Sequence, residues 1–294
     1  MDAPANLARR FCLGLLLCVP MASNAAYAQA MRIVAAENVY GDICRQIGGD
    51  HAVVVSILAN PMQDPHQFEA SASVARDIAQ AQLIVQNGAD YDPWMVKLAS
   101  ASPSPSRRVI DVAQLSHRKP GDNPHLWYDP AAVSALAAVL AQTLAQMDPS
   151  HREDYARRHA TFEASMGRLR ERIAVFRQRH AGTAVTATEP VFEYMADALG
   201  LSMRNRRFQL AVMNETEPSA KEIAAFEGDL RTRAVRALIF NMQTGGALPD
   251  RMRKIAVASH VAVVGVTETE PPATNYQGWM QAQIDALERA LDTR

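Results

Sequence analysis

The 294-residue chain has three cysteines and no large surplus of either charge, and beyond its first thirty residues no apolar run is expected to span a bilayer. Each shortage excludes something. Cys12 and Cys18 fall inside the N-terminal apolar run, which leaves Cys44 alone in the rest of the chain and rules out an intrachain disulfide there. Thirty Lys and Arg against 31 Asp and Glu give a net charge of -1, without the basic excess of a nucleic-acid footprint. Charged residues make up 21% and hydrophobic ones 48%, so the chain carries no charged disordered tail and has ample core material. Neither a nucleophile elbow nor an H-E-x-x-H motif is present. The length suggests two domains.

The N-terminus reads as an export signal. Arg9 and Arg10 precede the apolar run Phe11–Ala22, and small residues follow at Ala25, Ala26, Ala28 and Ala30. That is the basic, apolar and small-residue order of a cleaved secretory signal over 1–30, and its apolar part is too short to cross a membrane. Removing residues 1–30 takes two arginines and one aspartate and leaves a charge of -2. Leu17 stands before Cys18 where a lipidation site has a small residue, so a soluble periplasmic protein is expected.

Beyond it, short β-branched runs alternate with helical patterns, the signature of an α/β fold with parallel sheets. Strands are expected at 32–36, 53–58, 83–86 and 109–112, then at 184–187, 208–212, 237–240 and 261–266. Helices are expected at 73–81, 131–147, 219–230 and 277–291. This gives an N-terminal lobe over 31–148 and a C-terminal lobe over 181–294. Between them, Tyr155, Phe162, Met166, Leu169, Ile173 and Phe176 fall on one stripe at helical spacing. A bridging helix over 149–180 follows, with Asp148 or Ser150 to cap it and Gly182 to stop it.

Ligands of open α/β sheets bind beyond the carboxyl ends of strands. In those places the chain puts His66, His125, Glu189 and Glu268, with Glu270 as a rival to Glu268. Imidazole and carboxylate suit a first-row divalent cation, and two carboxylates would neutralise it. Pro65 and Pro124 stiffen the backbone before each histidine, and Pro190 fits the first position of a helix behind Glu189. Singly, each has a plainer reading, as a hydrogen-bonded loop histidine or a helix-capping glutamate. The other six histidines read as surface residues.

Asp64-Pro-His66-Gln-Phe-Glu-Ala-Ser71, Asn87–Trp94, Asn123-Pro-His125-Leu-Trp-Tyr-Asp-Pro130 and Thr188-Glu189-Pro-Val-Phe192 resemble the metal-binding substrate-binding proteins of zinc and manganese ABC importers. The resemblance covers essentially all of the chain after residue 30. It implies two α/β lobes joined by one long rigid helix, and a single metal in the cleft held by His66, His125, Glu189 and Glu268. It also implies an inner-membrane permease and its ATPase as partners. Glu189 stands where members have His or Glu, Glu268 where most have Asp, and the histidine-rich loop of zinc specialists is missing. Oxygen donors in place of histidine lean the expected cargo toward Mn²⁺ over Zn²⁺. The expected protein is a monomer that binds no nucleic acid and catalyses nothing. Two alternatives stand beside it: a secreted metalloenzyme with a two-histidine, one-carboxylate site, and a binding protein for a metal chelate of siderophore type.

Overall fold

A computed structural model describes Met1 and residues 30–62 and 65–293; of His66 it describes the backbone alone. The expected signal segment and Asp64 lie outside the described residues.

The first lobe runs β1 (Met31–Glu37), α1 (Asn38–Gly48), β2 (Ala52–Leu58), α2 (Ala72–Gln80), β3 (Leu83–Gln86), α3 (Pro93–Ala101), β4 (Arg108–Asp111), α4 (Val112–Leu115) and α5 (Pro130–Met147). α6 (Arg152–His180) crosses to the second lobe. That lobe runs β5 (Ala184–Ala187), α7 (Glu193–Ala198), β6 (Ser202–Arg204), α8 (Arg206–Met213), α9 (Ala220–Arg231), β7 (Ala237–Asn241), α10 (Ala247–Ala258), β8 (Ala262–Val266) and α11 (Tyr276–Asp292). Both sheets are parallel, in the orders β2-β1-β3-β4 and β6-β5-β7-β8. The second repeats the topology of the first, so the carboxyl ends of β1, β3, β5 and β7 hold equivalent places.

One strand lies elsewhere than expected. Residues 208–212 lie in α8, and the strand is Ser202–Arg204. A short apolar run does not separate helix from strand; here Asn205, in the left-handed region at φ 59°, turns the chain from β6 straight into α8. α5 is also, by length and composition, apolar enough to cross a membrane, contrary to the expectation that no such run follows residue 30. In the fold its buried residues pack against α1 and α6.

α6 has 29 residues and is therefore about 44 Å long. All six residues of the expected stripe are its buried ones. It packs on α1 and α5 of the first lobe and on α11 of the second. Neither expected cap forms: Asp148 instead accepts from Ser150 Oγ, the His151 ring and Tyr155 Oη, and His151 starts the helix with no side-chain cap. At the other end, Gly182 takes φ 78° just beyond the helix. There Arg172 pairs with Asp285 and Glu288, and Arg179 with Glu288 and Asp292, fastening α6 to α11. The core continues from one lobe to the other through Trp127, Tyr128, Phe192 and Trp279. Cys44 is buried within it, and that burial pushes its thiol up to about 12, leaving it unreactive.

Candidate metal centre

Three of the four expected residues meet where the carboxyl ends of the two sheets face each other. Glu189 and Glu268 each stand two residues beyond a strand, β5 and β8. His125 lies in the loop between α4 and α5. All three are buried, at 0% exposure for His125, 3% for Glu189 and 1% for Glu268. His125 Nε2 is 3.4 Å from Glu268 Oε2. His66 sits in a single helical turn, Pro65–Gln67, beyond β2, and its side chain is outside the described set.

The tautomer of His125 follows from its neighbour. Asn123 Nδ2 donates to the Pro190 carbonyl at 2.7 Å and to Glu193 Oε2 at 3.0 Å, so Asn123 Oδ1 must be the end that faces His125. It accepts from the His125 backbone N–H at 3.1 Å and from ring Nδ1 at 2.7 Å. In the neutral ring the proton is therefore on Nδ1, which leaves the lone pair on Nε2. Nε2 is buried, and among the described residues no hydrogen bond reaches it. An imidazole held in this way has the supporting contact that metal-ligating histidines commonly have.

The two carboxylates are gathered by one loop. Asn241, the last residue of β7, donates through Nδ2 to Glu189 Oε2 at 3.0 Å and to Glu268 Oε1 at 2.7 Å. Gln243 Oε1 accepts from the backbone N–H groups of Glu268 and Thr269, at 2.6 and 3.0 Å. From the first lobe, Tyr91 donates its hydroxyl to Glu268 Oε2 at 2.7 Å. Burial above all, and then the charge of Glu268, raises the Tyr91 phenol well above its ordinary value, so it stays a donor. Two carboxyl groups are thus buried against one amide, where a divalent cation would offset the charge they carry when ionised.

Glu270 is elsewhere. Its backbone is held by Asn38, and burial, with Asp42 adding to it, pushes its carboxyl up to about 9. The two histidines read as surface residues at 51 and 151 are in fact stacked, with ring centroids 3.8 Å apart, and each bonds an aspartate. His180, Glu288 and Asp292 also form a metal-like group at the end of α6, but Arg172 and Arg179 already occupy its carboxylates.

Asn241, Gln243, Tyr91 and Asn123 had no place in the sequence-based site. Asn241 was within reach, since it stands at the carboxyl end of a strand, β7, where the search was made. A search for histidines and carboxylates passes over a neutral amide.

The family model for the periplasmic component A of the zinc-uptake complex, ZnuA, matches residues 33–290. The chain belongs to the ZnuA family. Among characterised relatives of this ZnuA-family chain is the manganese ABC transporter substrate-binding lipoprotein PsaA of Streptococcus anginosus, 23% identical and covering 95% of each chain. The iron ABC transporter substrate-binding lipoprotein MtsA of Streptococcus pyogenes is 21% identical, covering 94% of each. Among solved structures, the periplasmic zinc-binding protein TroA of Treponema pallidum superposes with a TM-score of 0.71 at 18% identity, over 88% of this chain and 98% of that one. Two parallel-sheet lobes on one long helix are the fold they share. Neither alternative reading, metalloenzyme or chelate-binding protein, finds support among them.

Proposed function

We propose that this ZnuA-family protein is the extracytoplasmic substrate-binding component of an ABC importer and captures one divalent transition-metal ion between its lobes. Its relatives carry the names of metal ABC transporter substrate-binding proteins, for manganese and for iron among others. The observation that carries the reading is the His125 Nε2 lone pair, buried 3.4 Å from Glu268, with Glu189 tied to the same glutamate through Asn241. His66, from the matching Pro-His loop beyond β2, is proposed as the fourth donor.

In this mechanism His125 gives Nε2 while Asn123 holds the ring and its proton. Glu189 and Glu268 supply the two negative charges that offset the ion. The hydroxyl of Tyr91 shares Glu268 Oε2 with the incoming cation, so loading loosens one contact between the lobes as it makes another. Hydrogen bonds across the cleft, including Tyr128 to the Thr267 carbonyl at 2.7 Å and Tyr194 to the Asn123 carbonyl at 2.7 Å, fit small loop movements better than wide hinge opening. The loaded protein then docks, as a monomer in the periplasm, on a permease driven by an ATPase. The oxygen-rich donor set leans toward Mn²⁺ relative to a histidine-dominated one.

The test is to strip the protein over residues 31–294 with a chelator and titrate Mn²⁺, Zn²⁺ and Fe²⁺. One ion per chain with a clear rise in melting temperature is expected, lost in His125→Ala and in Glu189→Ala. Unchanged binding in both variants would sink the reading.

A further inference from the structure

The loop after β7 takes hold of one oxygen on each of the two buried glutamates. Asn241 is itself buried, at 2% exposure, and its Oδ1 accepts from the Gln243 backbone N–H at 3.1 Å, which fixes the amide with Nδ2 toward the carboxylates. Nδ2 engages Oε2 of Glu189 and Oε1 of Glu268. The Thr244 hydroxyl stands 3.3 and 3.5 Å from those same two oxygens. The other oxygen of Glu268, Oε2, is the one that meets Tyr91 and faces His125. On Glu268, then, one oxygen belongs to the β7 loop and the other to the site.

We propose that Asn241 is a specificity-determining residue: by hydrogen-bonding one oxygen of each glutamate it makes that oxygen the poorer donor, favours single-oxygen donation from both and so biases the site toward Zn²⁺ over Mn²⁺. This rests on the proposed ligand set of His66, His125, Glu189 and Glu268. Two imidazoles and two single carboxylate oxygens make four donors, the number Zn²⁺ takes in tetrahedral sites. Mn²⁺ favours about six, mostly oxygen, a number that two imidazoles and two glutamates supply from the protein itself when each glutamate gives both oxygens. Donor type and donor count thus pull in opposite directions. The type, oxygen in place of a third histidine, favours Mn²⁺; the count, limited by Asn241 with Thr244 beside it, favours Zn²⁺.

The experiment measures Zn²⁺ and Mn²⁺ dissociation constants by chelator competition, and the Mn²⁺ coordination number by X-ray absorption. It compares the chain over residues 31–294 with Asn241→Ala, Asn241→Leu and Thr244→Val. Asn241→Leu keeps the side-chain volume, and melting in excess chelator reports whether each variant folds. The preference for Zn²⁺ over Mn²⁺ is expected to fall on the order of tenfold in both Asn241 variants, the scale on which supporting contacts tune metal sites. A smaller shift the same way is expected in Thr244→Val, with more oxygen donors around Mn²⁺ in the Asn241 variants. Parallel loss of both affinities at a constant ratio and coordination number would make Asn241 a scaffold residue and overturn the proposal. If the unsubstituted protein binds neither ion through Glu189, the function proposed above falls, and this inference falls with it.

Discussion

Asn38 and Glu270 form a reciprocal pair across the lobes: the Asn38 amide donates to the Glu270 carbonyl at 2.7 Å and accepts from the Glu270 N–H at 3.0 Å. The amide thus mimics a strand neighbour and sets how the β8–α11 loop lies over α1. It also keeps apart the surroundings of two glutamates two residues apart. With the Glu270 backbone held, its carboxyl lies near Asp42 and Arg45, while Glu268 meets His125.

Glu268→Gln should therefore weaken binding of the captured ion roughly 100-fold or more, beyond what supporting contacts are worth, because a charged donor is lost. Glu270→Gln should leave affinity within about twofold, since a carboxyl raised to about 9 is already neutral at pH 7 and glutamine matches its shape. Isothermal titration of the two variants checks this. A larger loss in Glu270→Gln would reverse the assignment.

Asn123 should matter without touching the ion. In Asn123→Ala the ring loses the acceptor that keeps its proton on Nδ1, so the tautomer with Nε2 protonated becomes populated and competes with binding. A loss of roughly 10- to 100-fold in affinity is expected. The protonation state is read directly from ¹⁵N chemical shifts of the His125 ring. An unchanged tautomer would assign any loss to the bonds from Asn123 to Pro190 and Glu193 instead.

The rule that ligands of α/β sheets sit beyond strand ends led to three residues that the structure does place together: Glu189 and Glu268 each closely follow an apolar strand, and His125 is conspicuous in the longer loop that leaves the β4–α4 segment. The bridging helix was equally legible, because six large apolar residues from Tyr155 to Phe176 share one face only if the segment is helical throughout. What escaped was chemistry without a motif. Asn241, Gln243 and Tyr91 are ordinary residues until folding sets them against a carboxylate. Phe208–Val212 escaped for a different reason, since five residues carry no period long enough to tell helix from strand, and the turn at Asn205 that decides it depends on bonds to Thr186 and Asp229.

On α6, the stripe should dominate stability and the charged faces contribute little. Phe162 is 2% exposed within the core, so Phe162→Ala should cost about 3–5 kcal/mol through lost burial and the cavity left behind. Arg168 lies on the polar side of the helix, and Arg168→Ala should stay within about 0.5 kcal/mol. Urea unfolding of both variants in excess chelator makes the comparison. Equal effects would mean the helix is not held by its apolar stripe.

Asp92 gives the fold an unusual dependence on pH. It is 1% exposed, and burial raises its carboxyl, against hydrogen bonds from the Gly88 and Asn87 N–H groups and with Asp111 adding to the rise, to about 6. The unfolded value is about 3.9. Between these, the folded chain keeps a proton that the unfolded chain has released, so the stability this group contributes is complete below about pH 4 and is lost as pH rises through about 6. The loss approaches about 1.4 kcal/mol per unit of pH across that window. Glu37, raised well above its ordinary value by burial and by Asp92, acts in the same direction. Asp148, Asp154 and Glu222 are lowered and act in the opposite sense, but their contributions disappear only as pH falls below the ordinary carboxylate range. Urea midpoints in excess chelator should consequently fall between about pH 4.5 and about pH 6.5. Asp92→Asn, which cannot titrate but gives up one acceptor for the loop N–H groups, should start lower at the acid end and follow a flatter line. A midpoint that rises with pH, with the same slope in Asp92→Asn, would show that this carboxyl is ionised in the fold throughout.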